Sequence, residues 1–492
     1  MLLTQIFGKT NWARRRPTRD RRALAAAALL ATAAMGACET EYVHDGPNFV
    51  FVLVDTLRAD HVGVYGHDRD TTPFFDSLAR QGLVFEQVVA QAPWTGASMA
   101  SLWTSMYPSE TGAGVTPDSS GVRWLAKSGE TKIRPDAIPL AEILAASGYH
   151  TIAVISNVYA GTVFGLERGF EVHVQQGGSD AAAITGKAIE TLDQYLSENE
   201  PAPFFLYVHY LDAHEPTFPP EPYRARFPSR DGEPHREEHA HWKFGDNADP
   251  QDPDFQSFRE HKVDVYDASV NYIDAQVARI AQLLDARGRR NSTIFIVASD
   301  HGQEFWDHVE FERDTHLDPR GLAGVAHGQS LFGELTDVPL ILQGSGIPVG
   351  RIETRVRNLD IAPTILGLAG VESPDSRRRG VDLLEIARGD EGADLEAFSE
   401  SLAYGPEAKS LEIDGYKLIR YSATRSGRNE FLFDRSNDPG EQIDILDSAP
   451  EAASSLRRAL DAIFAGRELV QGEEITLDPE TRSQLQAIGY LE

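Results

Sequence analysis

Carboxylate and imidazole side chains stand beside the ends of predicted strands in this 492-residue chain, in an arrangement that suits a metal site. The set comprises Asp55, Asp212, His214, Asp300, His301 and His327. Oxygen and nitrogen ligands without a thiolate are preferred by zinc, manganese or calcium rather than by softer metals. A single residue of this kind at a strand end is usually a cap or an ordinary polar group. Together, the residues predict a divalent-metal centre.

These side chains need a scaffold that joins distant parts of the chain, and the sequence predicts a layered α/β fold. Apolar runs predict buried strands at residues 48–54, 151–155, 204–209, 293–298 and 338–343. Amphipathic stretches predict helices at residues 72–81, 138–147, 181–197 and 263–285. Strands that alternate with helices favour a mostly parallel central sheet flanked by helices. Sheets of this kind build their sites at the carboxyl ends of the strands.

The remaining segments predict a division into unequal parts. Residues 216–262 are rich in Pro, Asp, Glu and His, lack periodicity and predict a surface insertion that acts as a lid or substrate loop. A boundary near residue 372 would separate a catalytic domain, residues 48–372, from a smaller C-terminal α+β subdomain, residues 373–492. In that subdomain we predict short strands at 415–420 and 430–434 and a helix at 449–464.

The amino-terminal segment predicts export and lipid attachment. A basic region rich in arginine at residues 14–22 precedes the apolar run 23–35, which is too short for an ordinary membrane-spanning helix. Residues 35–38 resemble a bacterial lipobox, in which cleavage leaves a lipidated Cys38. We interpret residues 1–38 as a lipoprotein-type signal segment and residues 39–47 as a tether; an uncleaved anchor helix is the alternative. Either way, the catalytic part would lie in the periplasm or at the cell surface.

The charge and cysteine content exclude some partners and cross-links. The chain carries 46 basic and 75 acidic residues, which gives a formal net charge of −29. Such a surface repels the phosphate backbone, so nucleic acid is not an expected partner. Cys38 is the single cysteine of the sequence, so no disulfide can form within the chain.

Several motifs follow one another in a fixed order along the chain. They are the heptapeptide 54–60 with Asp55 and Arg58, the stretch 92–104 around Thr95, Ser299-Asp300-His301-Gly302, and the stretch 327–332 that begins His327-Gly328. Further matches occur at residues 359–365, 432–441 and 487–491. Together they resemble the bacterial sulfatase-type proteins of the alkaline phosphatase superfamily, over residues 47–492. The resemblance implies a sulfatase-like α/β fold and an ester hydrolase.

The resemblance also places the nucleophile at Thr95, where the chain departs from the family pattern. Sulfatases carry a cysteine or serine there, within Cys/Ser-x-Pro-x-Arg, and convert it to formylglycine. A threonine cannot form that aldehyde, and Met99 stands in place of the arginine. Thr56 replaces a second aspartate, and His327 stands near the position of a usual lysine. Thr95, Asn157 and His327 resemble instead the residues of phosphatase and phosphodiesterase relatives that use two metals.

The resemblance to those relatives implies two divalent ions, zinc or manganese, with calcium as an alternative. One ion would be held by Asp55, Thr95, Asp300 and His301, and the other by Asp212, His214 and His327. Thr95 would act as the nucleophile and form a covalent intermediate, because coordination to a metal can lower the pKa of its hydroxyl group. Asn157 would donate a hydrogen bond to a substrate oxygen. The substrate would be a phosphate or sulfate ester of a small molecule, a glycan or a lipid headgroup.

Two other functions remain open from the sequence. One is a genuine sulfuric ester hydrolase, similar to arylsulfatases, that works without formylglycine. The other is a lipid-anchored binding protein without catalysis, which the complete set of metal ligands disfavours.

Several further residues have competing interpretations. Ser98 could replace Thr95 as nucleophile if the register shifted by three residues, although a serine near a helix start is typical. His209 could pack, form a hydrogen bond or bind a metal. His308 and His316 are expected to be solvated loop residues, and Arg58 is expected to form a structural ion pair.

Overall fold

The computed structural model describes residues 46–125, 127–197, 202–228, 249, 251–389, 395–465, 470 and 472–487. The predicted signal segment with Cys38 and most of the tether lie outside this range, as do residues 229–248 of the predicted insertion and residues 488–491 of the last motif. Lipid attachment and export therefore stay predictions. Among the described helices, none combines the length and the apolar character needed to cross a bilayer.

A central eight-stranded sheet organises the molecule. Its strands in chain order are β1 (Asn48–Val54), β2 (Leu83–Phe85), β3 (His150–Ile155), β4 (Val172–Gln175), β5 (Phe204–Tyr210), β6 (Thr293–Ala298), β7 (Leu340–Gln343) and β8 (Gly350–Ile352). Their order across the sheet is β8-β2-β7-β6-β1-β5-β3-β4. Strand β7 runs antiparallel to both of its neighbours, and the other pairings are parallel. The predicted mostly parallel sheet is confirmed.

Helices cover both faces of this sheet. Those that contribute to its two core clusters are α1 (Pro73–Ala79), α2 (Thr95–Thr104), α3 (Leu140–Ala146), α4 (Ala181–Leu196), α5 (Pro253–Ala286) and α6 (Ile361–Ala369), and a further helix, α7 (Pro450–Phe464), lies in the C-terminal region. In β1, Phe49 and Phe51 belong to the core cluster shared with α2, α3 and α6. Val50 and Val52 belong to the cluster shared with α1, α4 and α5. Both faces of β1 are therefore buried, which explains its continuous apolar sequence.

The start of α5 differs from the prediction. The sequence predicts a helix over residues 263–285, whereas α5 begins at Pro253 and includes the last part of the predicted insertion. Asp252 caps the helix by accepting a hydrogen bond from the Asp254 N–H, and Pro253 fits the first helical position. The amino-terminal part of α5 also buries His261 and Lys262. Because these polar residues lie on the inner face, the helical spacing of apolar residues is not visible in this part of the sequence.

The C-terminal region forms a second, antiparallel sheet of four strands. Its strands in chain order are β9 (Ala397–Glu400), β10 (Ala408–Ile413), β11 (Tyr416–Tyr421) and β12 (Glu430–Asp434). One face of this sheet packs against α7 through a small core that includes Leu418, Leu432 and Leu460. The predicted C-terminal strands and helix are confirmed, while the exact domain boundary near residue 372 stays a prediction.

Short elements complete the described structure. The remaining described helices are Pro108–Thr111, Tyr223–Arg226, Val309–Thr315, Gly333–Thr336, Leu383–Ala387 and Pro479–Ala487, and the 3₁₀ turns are Ala59–His61, Gly63–Tyr65, Val158–Ala160, Arg290–Ser292 and Asn358–Asp360. Two-residue and three-residue strands pair as Val88–Val89 with Val356–Arg357, Gly114–Val115 with Glu130–Thr131, Val122–Trp124 with Tyr404–Pro406, and Glu304–Phe305 with Val325–Ala326.

Candidate active site

The carboxyl ends of the parallel strands bring most of the predicted site residues together. Asp55 follows β1 directly, Asn157 follows β3, and Asp300 and His301 follow β6. Thr95 is the first residue of α2. All five side chains are completely buried. The amino terminus of a helix favours negative charge because its first N–H groups lack partners within the helix, so Thr95 stands at a place suited to an anionic group.

The hydroxyl of Thr95 is the meeting point of three polar side chains. Thr95 Oγ1 lies 3.3 Å from Asp55 Oδ2, 3.3 Å from His301 Nε2 and 3.3 Å from Asn157 Nδ2. The Asn157 amide also donates to Asp55 Oδ2 at 2.7 Å, while its oxygen accepts the Tyr159 N–H at 2.9 Å. The Tyr159 contact fixes which end of the amide faces Thr95. Asn157 therefore directs an N–H donor to the place where Thr95 would meet a substrate.

Three neighbouring histidines use the same ring nitrogen, Nδ1, as a hydrogen-bond donor. His301 and His214 each donate Nδ1–H to a backbone carbonyl, and His327 donates Nδ1–H to the side-chain oxygen of Gln303 at 2.9 Å. With Nδ1 protonated, Nε2 keeps its lone pair. The His327 ring lies 4.8 Å from the His214 ring and 4.6 Å from the His301 ring, measured between centroids. The hydrogen bonds thus prepare clustered Nε2 atoms as acceptors or metal ligands.

His209 joins the site, although the sequence left its role open. Its Nε2 lies 3.6 Å from Asp55 Oδ2, and its side chain is completely buried. The residue sits in β5, where side chains alternate between the two faces of the sheet. Phe205 and Tyr207 point to the face that packs against α2, and His209 shares their parity. This alternation is the signal in the sequence that could have placed His209 beside Thr95.

The buried ligand-type atoms of this site fit a bound cation. Asp55 Oδ1, Asp300 Oδ2 and both ring nitrogens of His209 have no hydrogen-bond partner among the described residues. One ligand atom from each of these three residues lies within 4.8 Å of the others. Buried polar atoms are rarely left unsatisfied in folded proteins. Burial and the charge of Asp55 raise the pKa of Asp300 well above its usual value, and a divalent cation would remove this conflict between two carboxylates.

The protonation of the histidines also suits a metal. Burial lowers the pKa of His209 and of His301 to about 4. Both rings are therefore neutral near neutral pH, and a cation can bind them without first displacing a proton. His301 Nε2 lies 3.4 Å from Asp300 Oδ2 and 3.7 Å from Asp55 Oδ1. Two atoms that share one zinc ion at bonds of about 2.0–2.2 Å stand at comparable separations.

Asp212 has a different contact from the one that the sequence predicts. Its Oδ1 accepts a hydrogen bond at 3.0 Å from the N–H of Ala181, the first residue of α4. A carboxylate at a helix amino terminus is an ordinary stabilising contact. The ligand role of Asp212 stays a prediction, while His209 occupies the position beside Asp55.

Comparing His209→Ala with Asp212→Asn tests which residue contributes to the metal centre. We expect His209→Ala to weaken zinc or manganese binding at least about tenfold, because it removes an imidazole aimed at Asp55. We expect Asp212→Asn to leave the tighter metal affinity unchanged, because Asp212 Oδ1 contacts the Ala181 N–H at the start of α4 and the asparagine oxygen can accept the same hydrogen bond. Isothermal titration calorimetry of each metal-free variant measures its affinity for zinc and manganese. Equal weakening by both variants would return Asp212 to the ligand set.

Other residues considered from the sequence have structural contacts. Ser98 Oγ donates to the Asp300 carbonyl at 2.6 Å, which gives it a structural partner away from the Thr95 hydroxyl. Arg58 pairs with Asp60 at 2.7 Å and with Asp307 at 2.9 Å, as expected. The expectation that His308 and His316 are solvated is wrong, since both are buried. These histidines pair with Glu334 and Glu312, which compensates for their burial.

The buried side chain of Glu304, which accepts a hydrogen bond from the Gln329 amide, predicts that the stability of the protein depends on pH. Burial, together with the neighbouring Glu312 and Glu334 carboxylates, raises the pKa of Glu304 well above its usual value of 4.5. A folded-state pKa above the unfolded one means that the stabilising contribution is full below pH 4.5 and is lost as pH rises through the folded pKa. Glu304→Gln removes this loss and keeps an oxygen that can accept the Gln329 amide bond.

We therefore expect Glu304→Gln to gain stability over the wild type as pH rises above 4.5, by roughly 1.4 kcal/mol per pH unit within the titration window. Urea unfolding at several pH values measures the difference, and Glu310→Gln on the exposed side of the same region is the matched control. Parallel stability curves for the wild type and Glu304→Gln would contradict the assignment of a neutral Glu304.

Comparisons with known proteins agree with this fold and identify its family. A family model described as sulfatase matches residues 47–371. A sulfatase of Formosa agariphila is 25% identical over 448 residues, which cover 81% of this chain and 83% of the relative. The delta 4,5-hexuronate-2-O-sulfatase of Bacteroides thetaiotaomicron is 23% identical, with coverage of 89% and 93%. The phosphonate monoester hydrolase of Agrobacterium radiobacter has a similar fold, with a TM-score of 0.63, 20% identity, and coverage of 88% and 100%.

Proposed function

The chain belongs to the sulfatase family of the alkaline phosphatase superfamily and is an ester hydrolase of that group; on this premise, we propose that it cleaves phosphate or sulfate esters through Thr95 and a covalent threonine intermediate. The observation that carries the proposal is the environment of the Thr95 hydroxyl. It is buried at a helix amino terminus, within 3.3 Å of a carboxylate, an imidazole nitrogen and an amide donor. No other hydroxyl group discussed above has this combination of contacts.

Asp55, His209, Asp300 and His301 would hold one divalent cation, zinc or manganese, and His214 and His327 would contribute to a second, with calcium as an alternative metal. A bound cation supplies charge neutralisation for the ester group and lowers the pKa of an adjacent hydroxyl. Both effects are needed here, because an unassisted threonine hydroxyl is a weak nucleophile. The number of ions is measured directly as the ratio of metal to protein.

In the first step, Thr95 Oγ1 forms a bond to the phosphorus or sulfur of the ester, and the bond from that atom to the alcohol oxygen breaks. The Thr95 proton leaves along the hydrogen bond to Asp55 Oδ2, and the departing alcohol gains one proton overall. Asn157 Nδ2, 3.3 Å from Thr95 Oγ1, donates to an oxygen of the transferred group. In the second step, water attacks the same atom, Thr95 regains its proton, and phosphate or sulfate is released.

The two candidate substrate classes, phosphorus esters and sulfate esters, differ in the atom that Thr95 attacks. The placement of Thr95 without a formylglycine motif favours phosphate or phosphonate esters, and the phosphonate monoester hydrolase of similar fold is consistent with this reading. The named sulfatase relatives, among them a hexuronate-2-O-sulfatase, support the second candidate, a sulfuric ester hydrolase that acts on a sulfated glycan or a smaller ester. In either case, the ester group has to reach a threonine whose side chain is completely buried.

A panel of esters with one common leaving group tests the proposal. The purified protein is assayed with 4-nitrophenyl sulfate, 4-nitrophenyl phosphate, bis(4-nitrophenyl) phosphate and 4-nitrophenyl phenylphosphonate, each with zinc, manganese or calcium and after chelation. We expect metal-dependent hydrolysis with a phosphorus ester preferred. A clear preference for the sulfate would select the second candidate. Tight metal binding without turnover of any ester would favour a binding protein.

A further inference from the structure

A buried ion pair lies next to one of the site histidines. Lys262 Nζ contacts Glu215 Oε1, and the two side chains are 2% and 8% exposed. Lys262 belongs to α5, which spans Pro253–Ala286, while Glu215 directly follows His214 in the loop after β5. The pair therefore connects a long helix of the scaffold to the loop that carries His214.

An ion pair in this position is an unusual way to hold a loop. Removing two charges from water costs several kcal/mol per ion, so a buried pair is often no more stabilising than two apolar side chains. Loss of one partner is harmful because it leaves the other charge buried and alone. We infer that the pair serves to fix position: the charge attraction between the Lys262 ammonium group and the Glu215 carboxylate holds the Glu215 side chain against α5.

The position of Glu215 matters for the site because its backbone carbonyl contacts the His214 ring. The carbonyl oxygen of Glu215 accepts the Nδ1–H of His214. That hydrogen bond sets the proton on Nδ1 and leaves the lone pair on Nε2, on the ring whose centroid lies 4.8 Å from that of His327. The Glu215 side chain pairs with Lys262, and the Glu215 backbone carbonyl accepts the hydrogen bond from His214. Glu215 therefore connects α5 to the His214 ring.

We propose that Lys262 is a positioning residue, which through Glu215 fixes the tautomer and orientation of His214 for ester hydrolysis. This inference rests on the proposed function for its effect on catalysis. Lys262 itself is assigned no contact with substrate or metal. Replacing the lysine would release the loop at residues 214–215, allow the proton of the His214 ring to occupy either nitrogen, and lower kcat/KM by about 10- to 100-fold, the range typical of residues that orient a ligand histidine.

The experiment compares variants that separate positioning from the cost of a buried charge. Lys262→Met leaves Glu215 without its counter-ion, and the double variant Lys262→Met/Glu215→Gln leaves no charge at the pair. Lys262→Arg keeps the charge and should restore much of the activity. Lys417→Met is the matched control, because Lys417 is equally buried at 2% and pairs with Glu441 at 2.8 Å in the C-terminal sheet.

Two measurements are made on each variant. The first is kcat/KM with the best ester of the wild type, beside the midpoint of thermal unfolding. The second is the ¹⁵N spectrum of protein labelled at histidine, in which the Nδ1 and Nε2 shifts of His214 report the tautomer directly; His214→Gln assigns its signals. The spectrum is informative even if the wild type hydrolyses no ester, so a failure of the proposed function and a failure of this inference can be told apart.

We expect Lys262→Met to lose both stability and the single Nδ1-protonated tautomer. The double variant should regain stability but keep the mixed tautomer and the low kcat/KM. Lys417→Met should lose stability and keep the His214 signals and kcat/KM unchanged. The proposal is overturned if the double variant shows His214 signals and kcat/KM like those of the wild type, because the pair would then be a purely structural contact.

Discussion

Thr95→Ala is expected to lower kcat/KM by about 10⁴- to 10⁶-fold, the range seen when a nucleophile acting within a concerted set is removed. The hydroxyl lies within 3.3 Å of Asp55, His301 and Asn157, so the alanine variant leaves these groups without the oxygen that they surround. Thr95→Ser keeps the hydroxyl and should retain activity to within about tenfold. Rates are measured with saturating metal, and the metal content of each variant is determined alongside.

Thr104→Ala is the matched control for this prediction. Thr104 is a buried threonine of the same helix, and its hydroxyl donates to the Ala100 carbonyl at 2.7 Å, away from the site. The same chemical change should therefore leave kcat/KM near the wild-type value. If Thr95→Ala, folded and loaded with metal, hydrolyses the preferred ester at the wild-type rate, the nucleophile is another group.

Asp300→Asn is expected to abolish metal-dependent activity and at the same time to stabilise the metal-free protein. The carboxylates of Asp300 and Asp55 are both completely buried, and burial together with the charge of Asp55 raises the pKa of Asp300 well above its usual value. Without metal, a neutral asparagine relieves this conflict. With metal, the variant lacks a ligand of the cation that activates Thr95, so kcat/KM should fall by at least about 10³-fold.

Thermal unfolding with and without zinc or manganese measures the two opposite effects. The wild type should gain stability on metal addition, because the folded state binds the ion, and Asp300→Asn should show little gain from a higher starting point. Asp360→Asn is the contrasting variant: Asp360 is also completely buried but pairs with Arg357 at 2.7 Å, so its loss should destabilise the protein in both conditions. A metal-dependent gain in Asp300→Asn equal to that of the wild type would exclude Asp300 from the metal centre.

The scaffold could be predicted because its strands are buried on both faces. Such strands are continuous apolar runs, and the predicted bounds 48–54 and 293–298 match β1 and β6 residue for residue. Parallel strands place their carboxyl ends at one edge of the sheet, so the order of strands along the chain predicts that Asp55, Asp300 and His301 lie together. The position of Thr95 is predicted only by the resemblance between motifs, since nothing in its local sequence separates it from Ser98.

What the sequence did not reveal depends on contacts between distant segments. His209 lies inside an apolar strand, where a histidine is as consistent with packing as with metal binding. Lys262 falls within the predicted insertion at residues 216–262. Its burial in α5 was not expected, because a lysine on the inner face interrupts the helical spacing of apolar residues. Asp212 follows a strand as Asp55 does, yet its side chain contacts the start of α4. Side-chain direction at these positions is set by the tertiary partner, which local spacing does not encode.

Rapid acid quenching during turnover tests the central claim most directly. The protein is mixed with an excess of its preferred ester, quenched within the first turnovers, digested and analysed by high-resolution mass spectrometry. We expect a phosphoryl or sulfuryl group on Thr95 that is absent without substrate and absent in Thr95→Ala. A covalent group on Ser98, or active enzyme that carries no such group on Thr95 under conditions that preserve phosphothreonine and sulfothreonine, would contradict a threonine nucleophile.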